Sequence, residues 1–503
     1  MEIVQQVMDA MTLYFTFKAV LMVCVGVAAG ILVGAIPGIS GVMATAVLVP
    51  FSFFMPPTEG IPFLLGLHKG ALFGDSIPAI LINTPGQPAA AATALDGYPL
   101  AKKGEAKSAI QMALVSSTIG DTFSDIVLIV AAIPLAALAL KFGPAEFFAL
   151  MVMGLTIIGG ITGSSAAKGI LSALIGLMIG LVGFDAVTGA ERYTFGIPSL
   201  QGGIGTIPLM IGLFAVSEVL IQAEKKNNVL AKRPATAHLK GGKTLEMKEV
   251  KFSARTIFRS SILGTIIGAI PGTGAAIATF IGYGAAKRAS KKPEEFGKGS
   301  YEGVAASEAA NSAVAGADLI PTLTLGIPGS ATAAILMGAF LAQGLRPGPE
   351  LFESNGSTMY AIFALLLIGN PIMIVIGWVL TPVFARVVTI RQSLLVPCVL
   401  ILCLMGVYVF RGNLGDIQLA LVVGVFGYFL RKIDIPLAPL VIAFIITPIA
   451  ERSMKQALIL SDGDFSVFIT RPISAGFLLL AAAILVFGFK RNQKPRSQND
   501  QET

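Results

Sequence analysis

The chain has 503 residues, of which 54% are hydrophobic and 13% charged, with a mean hydropathy of +0.80. That leaves too little polar surface to cover a water-soluble globule of this size, so the composition excludes a soluble fold and predicts an all-α polytopic membrane protein. The formal net charge of +7 would suit nucleic acid, but its placement argues otherwise. The bases fall in short clusters at Lys102, Lys103 and Lys107, at Lys225 through Lys251, at Lys287 through Lys298, and at Lys490, Arg491, Lys494 and Arg496. This is the cytoplasmic-loop bias of membrane proteins.

The first residues carry Glu2 and Asp9 rather than a basic n-region, and the apolar run after them is too long for a signal-peptide core. They are expected to stay on the mature chain. Uncharged runs of spanning length, roughly 20 residues for a 30 Å core, begin after Lys18 and recur to Phe489, room for about ten to twelve membrane elements. Within the first run, Ala19 to Thr58, stand Gly34-Ala35-Ile36-Pro37-Gly38, and the same five residues recur as Gly268-Ala269-Ile270-Pro271-Gly272. Proline cannot continue a helix interior, and glycine accepts the open backbone angles of a tip. The second copy lies between two basic loops, so one crossing by Ile257 to Ala286 would force a loop outside. A re-entrant hairpin with its tip at Pro271-Gly272 satisfies both. The first copy, flanked by Asp9 and Glu59, is expected to open to the outside.

A second repeat follows each hairpin. Asp75-Ser76-Ile77-Pro78 followed by Pro85-Gly86 matches Asp318-Leu319-Ile320-Pro321 followed by Pro328-Gly329 at the same spacing, and the longer approach to the second copy matches the charged insertion Lys287 to Lys298. The expected organisation is two inverted-topology repeats with re-entrant hairpins and broken helices. The first occupies 1–222, its membrane part starting near residue 19, and the second 255–489. A basic cytoplasmic linker, 223–254, joins them, and a cytoplasmic tail, 490–503, follows.

Two half-helices meeting at membrane depth leave free N–H groups and free carbonyls, which are tolerated only where they line a polar cavity. Helix N-terminal ends suit a carboxylate and carbonyl ends suit Na⁺ or a protonated group. The candidate substrate contacts are therefore Pro37, Gly38, Ser40, Lys69, Asn83, Thr84, Pro85, Gly86, Pro271, Gly272, Thr273, Pro328, Gly329 and Ser330, with Gln87 beside them. Asp75, Asp318 and Asn311 are the candidates for ion coupling, with Na⁺ near the two aspartates; the alternative for each aspartate is an N-cap on the short helix after it. Lys69 is read as substrate-facing or paired with an acid, and Glu308 as a further buried charge needing a partner. His68, which aligns with Asn311, is read as a satisfied polar residue. Asp121, Asp125, Asp185 and Glu191 are placed at element ends without a role. Gly26, Gly30 and Gly34, and Gly264 with Gly268, read as close-packing surfaces. Cys24, Cys398 and Cys403 sit in apolar runs without metal-ligand spacing and imply no disulfide or metal site.

The paired Gly-Ala-Ile-Pro-Gly blocks, the run from Gly70-Ala71-Leu72-Phe73-Gly74-Asp75 through Asn83-Thr84-Pro85-Gly86, and Asp96-Gly97-Tyr98-Pro99-Leu100 together resemble the large membrane subunit of tripartite tricarboxylate transporters, the TctA type. The resemblance runs over essentially the whole chain. It implies a multi-pass protein of the bacterial inner (cytoplasmic) membrane that imports citrate-like or other carboxylates by secondary active transport. A small four-helix membrane subunit and a periplasmic solute-binding protein are the implied partners. In the second half Leu325-Gly326-Ile327-Pro328-Gly329 stands where the first has Ile82-Asn83-Thr84-Pro85-Gly86, which makes Asn83 and Thr84 the better candidates for polar contact. With two histidines, His68 and His238, and no Walker-type loop, the chain is expected to be no enzyme and to hold no cofactor, with Na⁺ or H⁺ as coupling ion. Alternating access, by an elevator-like shift, is the expected mechanism; an anion-selective channel built from the same hairpins is the alternative.

Overall fold

The computed structural model describes residues 2–37, 39–161, 165–185, 187–224, 243–387 and 392–492. Gly38, most of the expected linker and the end of the expected tail lie outside them. In the first half the chain forms α1 (Glu2–Tyr14), α2 (Phe17–Gly34), α3 (Gly41–Leu48), α4 (Pro57–Gly74), α5 (Ser76–Ile82), α6 (Pro88–Lys102) and α7 (Ala106–Ala139). It continues as α8 (Pro144–Ile161), α9 (Ala166–Gly180), a two-residue ribbon of β1 (Gly183–Phe184) with β2 (Glu191–Arg192), α10 (Pro198–Gln201), α11 (Thr206–Met210) and α12 (Ser217–Glu224). The second half holds α13 (Met247–Gly268), α14 (Gly274–Ala289), α15 (Tyr301–Leu325), α16 (Ala331–Ala342), α17 (Glu350–Ser354) and α18 (Gly356–Val387). It ends with α19 (Gln392–Arg411), α20 (Leu414–Lys432), α21 (Leu437–Leu460), α22 (Val467–Thr470) and α23 (Pro472–Asn492).

Among the described residues six helices are long and apolar enough to cross a membrane, within α2, α7, α11–α12, α18, α20 and α21, and shorter apolar helices accompany them. The protein is an all-α polytopic membrane protein, as the composition predicts. One boundary differs from expectation. α13 starts at Met247, inside the stretch read as linker, because Glu246 and Glu249 form a reciprocal capping box that fixes the helix start, and Lys243 reaches Glu249 at 2.9 Å.

The helices before the repeated pentapeptide end at its first residue in both halves, α2 at Gly34 and α13 at Gly268, and α13 packs on α14 after its turn. Lipid tails supply no hydrophobic drive for helix association, so close backbone approach must come from small residues. α2 and α4 achieve it reciprocally. A Cβ on Gly30 would fall 2.7 Å from Ala71 N, one on Gly34 2.7 Å from the Ala71 carbonyl, and one on Gly74 2.6 Å from the Ile31 carbonyl. α13 meets α15 the same way, Gly264 and Gly268 lying against Ala313 and Val314. The following long helices cross over. α7 packs on α13 and α15 of the second half, and α18 packs on α2 and α4 of the first.

These contacts make a stability prediction. Gly30→Val overpacks a backbone contact and is expected to cost about 1–3 kcal/mol. Gly476→Ala in α23, where nothing lies within 4 Å of the new methyl, is expected to be neutral or stabilising by up to about 1 kcal/mol. Thermal unfolding of the purified variants in detergent reads both.

Candidate functional site

The two helix breaks are built alike. α5 ends at Asn83, whose φ of 53° is left-handed, and the Thr84 N–H turns back to the Pro78 carbonyl at 3.3 Å. α15 ends at Gly326, φ 69°, and the Ile327 N–H turns back to the Pro321 carbonyl at 3.2 Å. Asn83 and Gly326 hold the same place in the repeat, and asparagine is the non-glycine residue that best tolerates this backbone region. The unequal chemistry of the two half-sites is thus tied to one backbone angle. The Asn83 side chain is exposed, and the Thr84 hydroxyl donates to the Ile82 carbonyl at 3.2 Å.

Each aspartate reaches across its break. Asp75 Oδ1 accepts the Gly86 N–H at 2.7 Å, and Asp318 Oδ2 accepts the Ser330 hydroxyl at 2.5 Å. Asp75 stands at the start of α5 without making a side-chain cap there, and Asp318 lies inside the continuous α15. Asp75 thus holds the N-cap position of the next short helix that the sequence left open, without using its side chain there, whereas Asp318 caps no helix. Both carboxyls are buried, and Asp75 Oδ2 and Asp318 Oδ1 have no protein partner.

The hairpin tips meet these breaks. The Gly272 N–H donates to the Gly329 carbonyl at 2.8 Å, with Gly272 at φ 82° and Pro271 half-buried beside it. In the first half, the Ile39 carbonyl after buried Pro37 lies so close to Gly86 that no Cβ fits there, while Pro85 is half-buried and its counterpart Pro328 buried. The candidate hydroxyls are occupied locally. Ser40 caps α3 through Met43 N at 3.2 Å, Ser330 caps α16 through Ala333 N at 3.0 Å, and Thr273 donates to the Ile267 and Ile270 carbonyls at 2.6 and 2.9 Å. Gln87 occupies the N-cap position of α6.

A buried charge cluster joins α4, α7 and α18. Lys69 Nζ donates to Asp121 Oδ2 and Asp125 Oδ2, each at 2.7 Å, and to Asn370 Oδ1 at 2.9 Å; Asn370 Nδ2 returns a bond to Asp125 Oδ2 at 2.8 Å. Lys69, Asp121 and Asp125 side chains are at most 2% exposed. Gly369 leaves room for the Lys69 stem. Asp121 and Asp125 therefore do not lie at an element end, as expected from sequence, but in the middle of α7. Two acids four apart share one helix face, and between Lys107 and Lys141 they are the only charged residues, a signal that was present in the sequence. Asp185 and Glu191 do lie beside and within the ribbon, where Asp185 pairs with Lys455.

The neighbouring acid Glu308, on α15, accepts Ser117 at 2.9 Å and is also bonded by Thr93, joining α15 to α7 and α6. Asn311 is buried with neither amide atom partnered, and His68, expected to be satisfied, has an unpartnered Nε2. Orphaned buried polar atoms of this kind are what a ligand, an ion or ordered water completes.

A sequence model described as "Tripartite tricarboxylate transporter TctA family" matches residues 20–442, spanning both hairpins, both breaks and the Lys69 cluster. The chain belongs to the tripartite tricarboxylate transporter TctA family. Two relatives come from Agrobacterium vitis. The "Uncharacterized 52.8 kDa protein in TAR-I ttuC' 3'region" is 38% identical over 464 residues, covering 92% of this chain and 91% of the relative. The "Uncharacterized protein in TAR-II ttuC' 3'region" is 36% identical over 238 residues, 47% of this chain and 98% of that one. No solved structure matches this TctA-family chain.

The cluster predicts a non-additive mutant series. Lys69→Met leaves two buried carboxylates without their cation and is expected to cost about 3–5 kcal/mol. Adding Asp121→Asn and Asp125→Asn to it is expected to restore most of that loss. Melting curves of the single and triple variants decide it; equal melting points would show that the charges do not act as a unit.

Proposed function

We propose that this chain is the large transmembrane subunit of a binding-protein-dependent secondary transporter. It imports tricarboxylates or related carboxylates across the bacterial inner membrane, driven by a Na⁺ or H⁺ gradient. Membership of a transporter family and the multi-pass fold support transport rather than catalysis. The observation that carries the site is the duplicated break: two interrupted helices, each clasped by a buried aspartate with a spare oxygen and each met by a hairpin tip. In the reading adopted here the halves are inverted in the membrane and move by alternating access around this paired site. The positive N-terminal ends of the helices after the breaks hold the carboxylate, with Asn83, Thr84, Pro328 and Gly329 at its edge, and Asp75, Asp318 and Asn311 take the coupling ion. A small four-helix membrane subunit and a periplasmic solute-binding protein are the partners of such an arrangement.

Uptake of labelled carboxylate into proteoliposomes containing both membrane subunits, with the binding protein supplied, tests this. Flux is expected to saturate and to require a Na⁺ or proton gradient; non-saturating flux independent of both would identify a channel instead. Asp75→Asn and Asp318→Asn are each expected to weaken the ion dependence by about tenfold or more in apparent ion affinity, the scale of one lost charge-assisted bond. Unchanged ion dependence in both variants would place coupling elsewhere.

A further inference from the structure

A cavity of about 930 Å³ opens beside the second break, away from the Lys69 cluster. Leu325 and Gly326 at the end of α15 form part of its wall, with Arg346 on the loop after α16 and Arg452 on α21. The Gly348 N–H donates to the Leu323 carbonyl at 3.1 Å, so the loop that carries Arg346 is tied to the end of the broken helix.

The charges around the cavity do not cancel. Asp185 and Glu451 face it, but Arg192 binds Glu451 through both guanidinium nitrogens and lies 3.5 Å from Asp185, while Lys455 pairs with both acids. Two acids are thus met by two bases. Of the remaining lining charges, Glu350 is a single acid against Arg346 and Arg452, neither of which has an ion-pair or hydrogen-bond partner among the described residues. The face is also predictable. α7 starts beside the basic Lys102–Lys107 cluster, and its far end leads into Leu140 on the cavity wall. Thirty-four residues at about 1.5 Å each suffice to cross a bilayer, so the cavity opens opposite the basic, cytoplasmic cluster.

We propose that this cavity is an entry site for a multiply charged carboxylate, with Arg346 and Arg452 its recognition groups. A guanidinium presents paired donors that match a carboxylate in the plane, and two of them on the wall of one cavity favour an anion with more than one carboxylate over a monoanion. Bound there, the anion rests against Gly326, one step from the break where the transport site is placed; the proposal rests on that carboxylate-transport reading.

Two measurements test it. Gln456→Cys, on the cavity wall, in a background with Cys24, Cys398 and Cys403 replaced by alanine, is labelled in intact cells with a membrane-impermeant maleimide. Labelling is expected to occur from outside, to be slowed by citrate more than by acetate, and to lose that protection in Arg346→Gln/Arg452→Gln. In proteoliposomes each single substitution is expected to raise the KM for citrate about tenfold with little change in maximal rate or ion dependence, the scale of one charge-assisted hydrogen bond. Arg346→Lys is expected to recover part of the loss, and unchanged melting points exclude misfolding. Protection without any uptake would overturn the transport reading and leave the entry site standing. Uptake with no citrate protection and an unchanged KM in the double variant would overturn the entry site alone.

Discussion

Every backbone polar group that a membrane protein buries away from water has to find a partner within the protein, and two interrupted helices make this the ruling constraint. The structure answers it twice with one solution. A left-handed residue turns the chain back onto the proline carbonyl five or six residues earlier, at Asn83 and at Gly326. An aspartate from the helix before the break then holds the residues after it, Asp75 on Gly86 and Asp318 on Ser330. The hairpin tip closes over the same residues. The acids thus have a structural duty before they have any other, and the oxygen each leaves unpartnered is what that duty does not use.

The packing follows from the same constraint. Tips can reach breaks only if the helices carrying them lie backbone to backbone, which the glycine faces of α2 against α4 and of α13 against α15 allow. Burial that tight leaves no water for a stray charge, so Lys69 is surrounded by three acceptors drawn from α7 and α18. A lone buried lysine on insertion scales costs roughly 2.5–3.5 kcal/mol, and a broken ion cluster more.

The membrane class, the turn at Pro271-Gly272 and the two breaks are legible in the sequence, because proline, glycine and an interrupted apolar run carry their meaning locally. The repeat was legible too, and the equivalence of Asn83 with Gly326 shows why its two copies need not match in residue type. Position 83 invites a reading as a polar contact, and the structure adds that a left-handed backbone angle is what the two residues share. The partners of Lys69 were not found, since nothing in the local sequence says that α7 crosses to the far half, even though Asp121 and Asp125 stand out in their run. The start of α13 is hard to place from sequence because a charge-rich stretch reads as loop, while two of its glutamates, Glu246 and Glu249, cap a helix. The arginine-lined cavity is beyond reach of the sequence: its walls come from α8, α9, α11, α15, α16, α21, the β-ribbon and the loops between them, which only the tertiary fold assembles.

The crossing of α7 and α18 also bears on how such a molecule could change shape. α7 rests on α13 and α15, and α18 on α2 and α4, so each half of the chain lends a long arm to the other. Pulling the two halves apart as blocks would strip both arms from their seats and expose Lys69 and its acids. Any rigid unit that moves as one body must be cut along spatial neighbours, and it will contain residues from before and after the linker. A cut at the boundary written in the sequence would therefore break the contacts of both long arms.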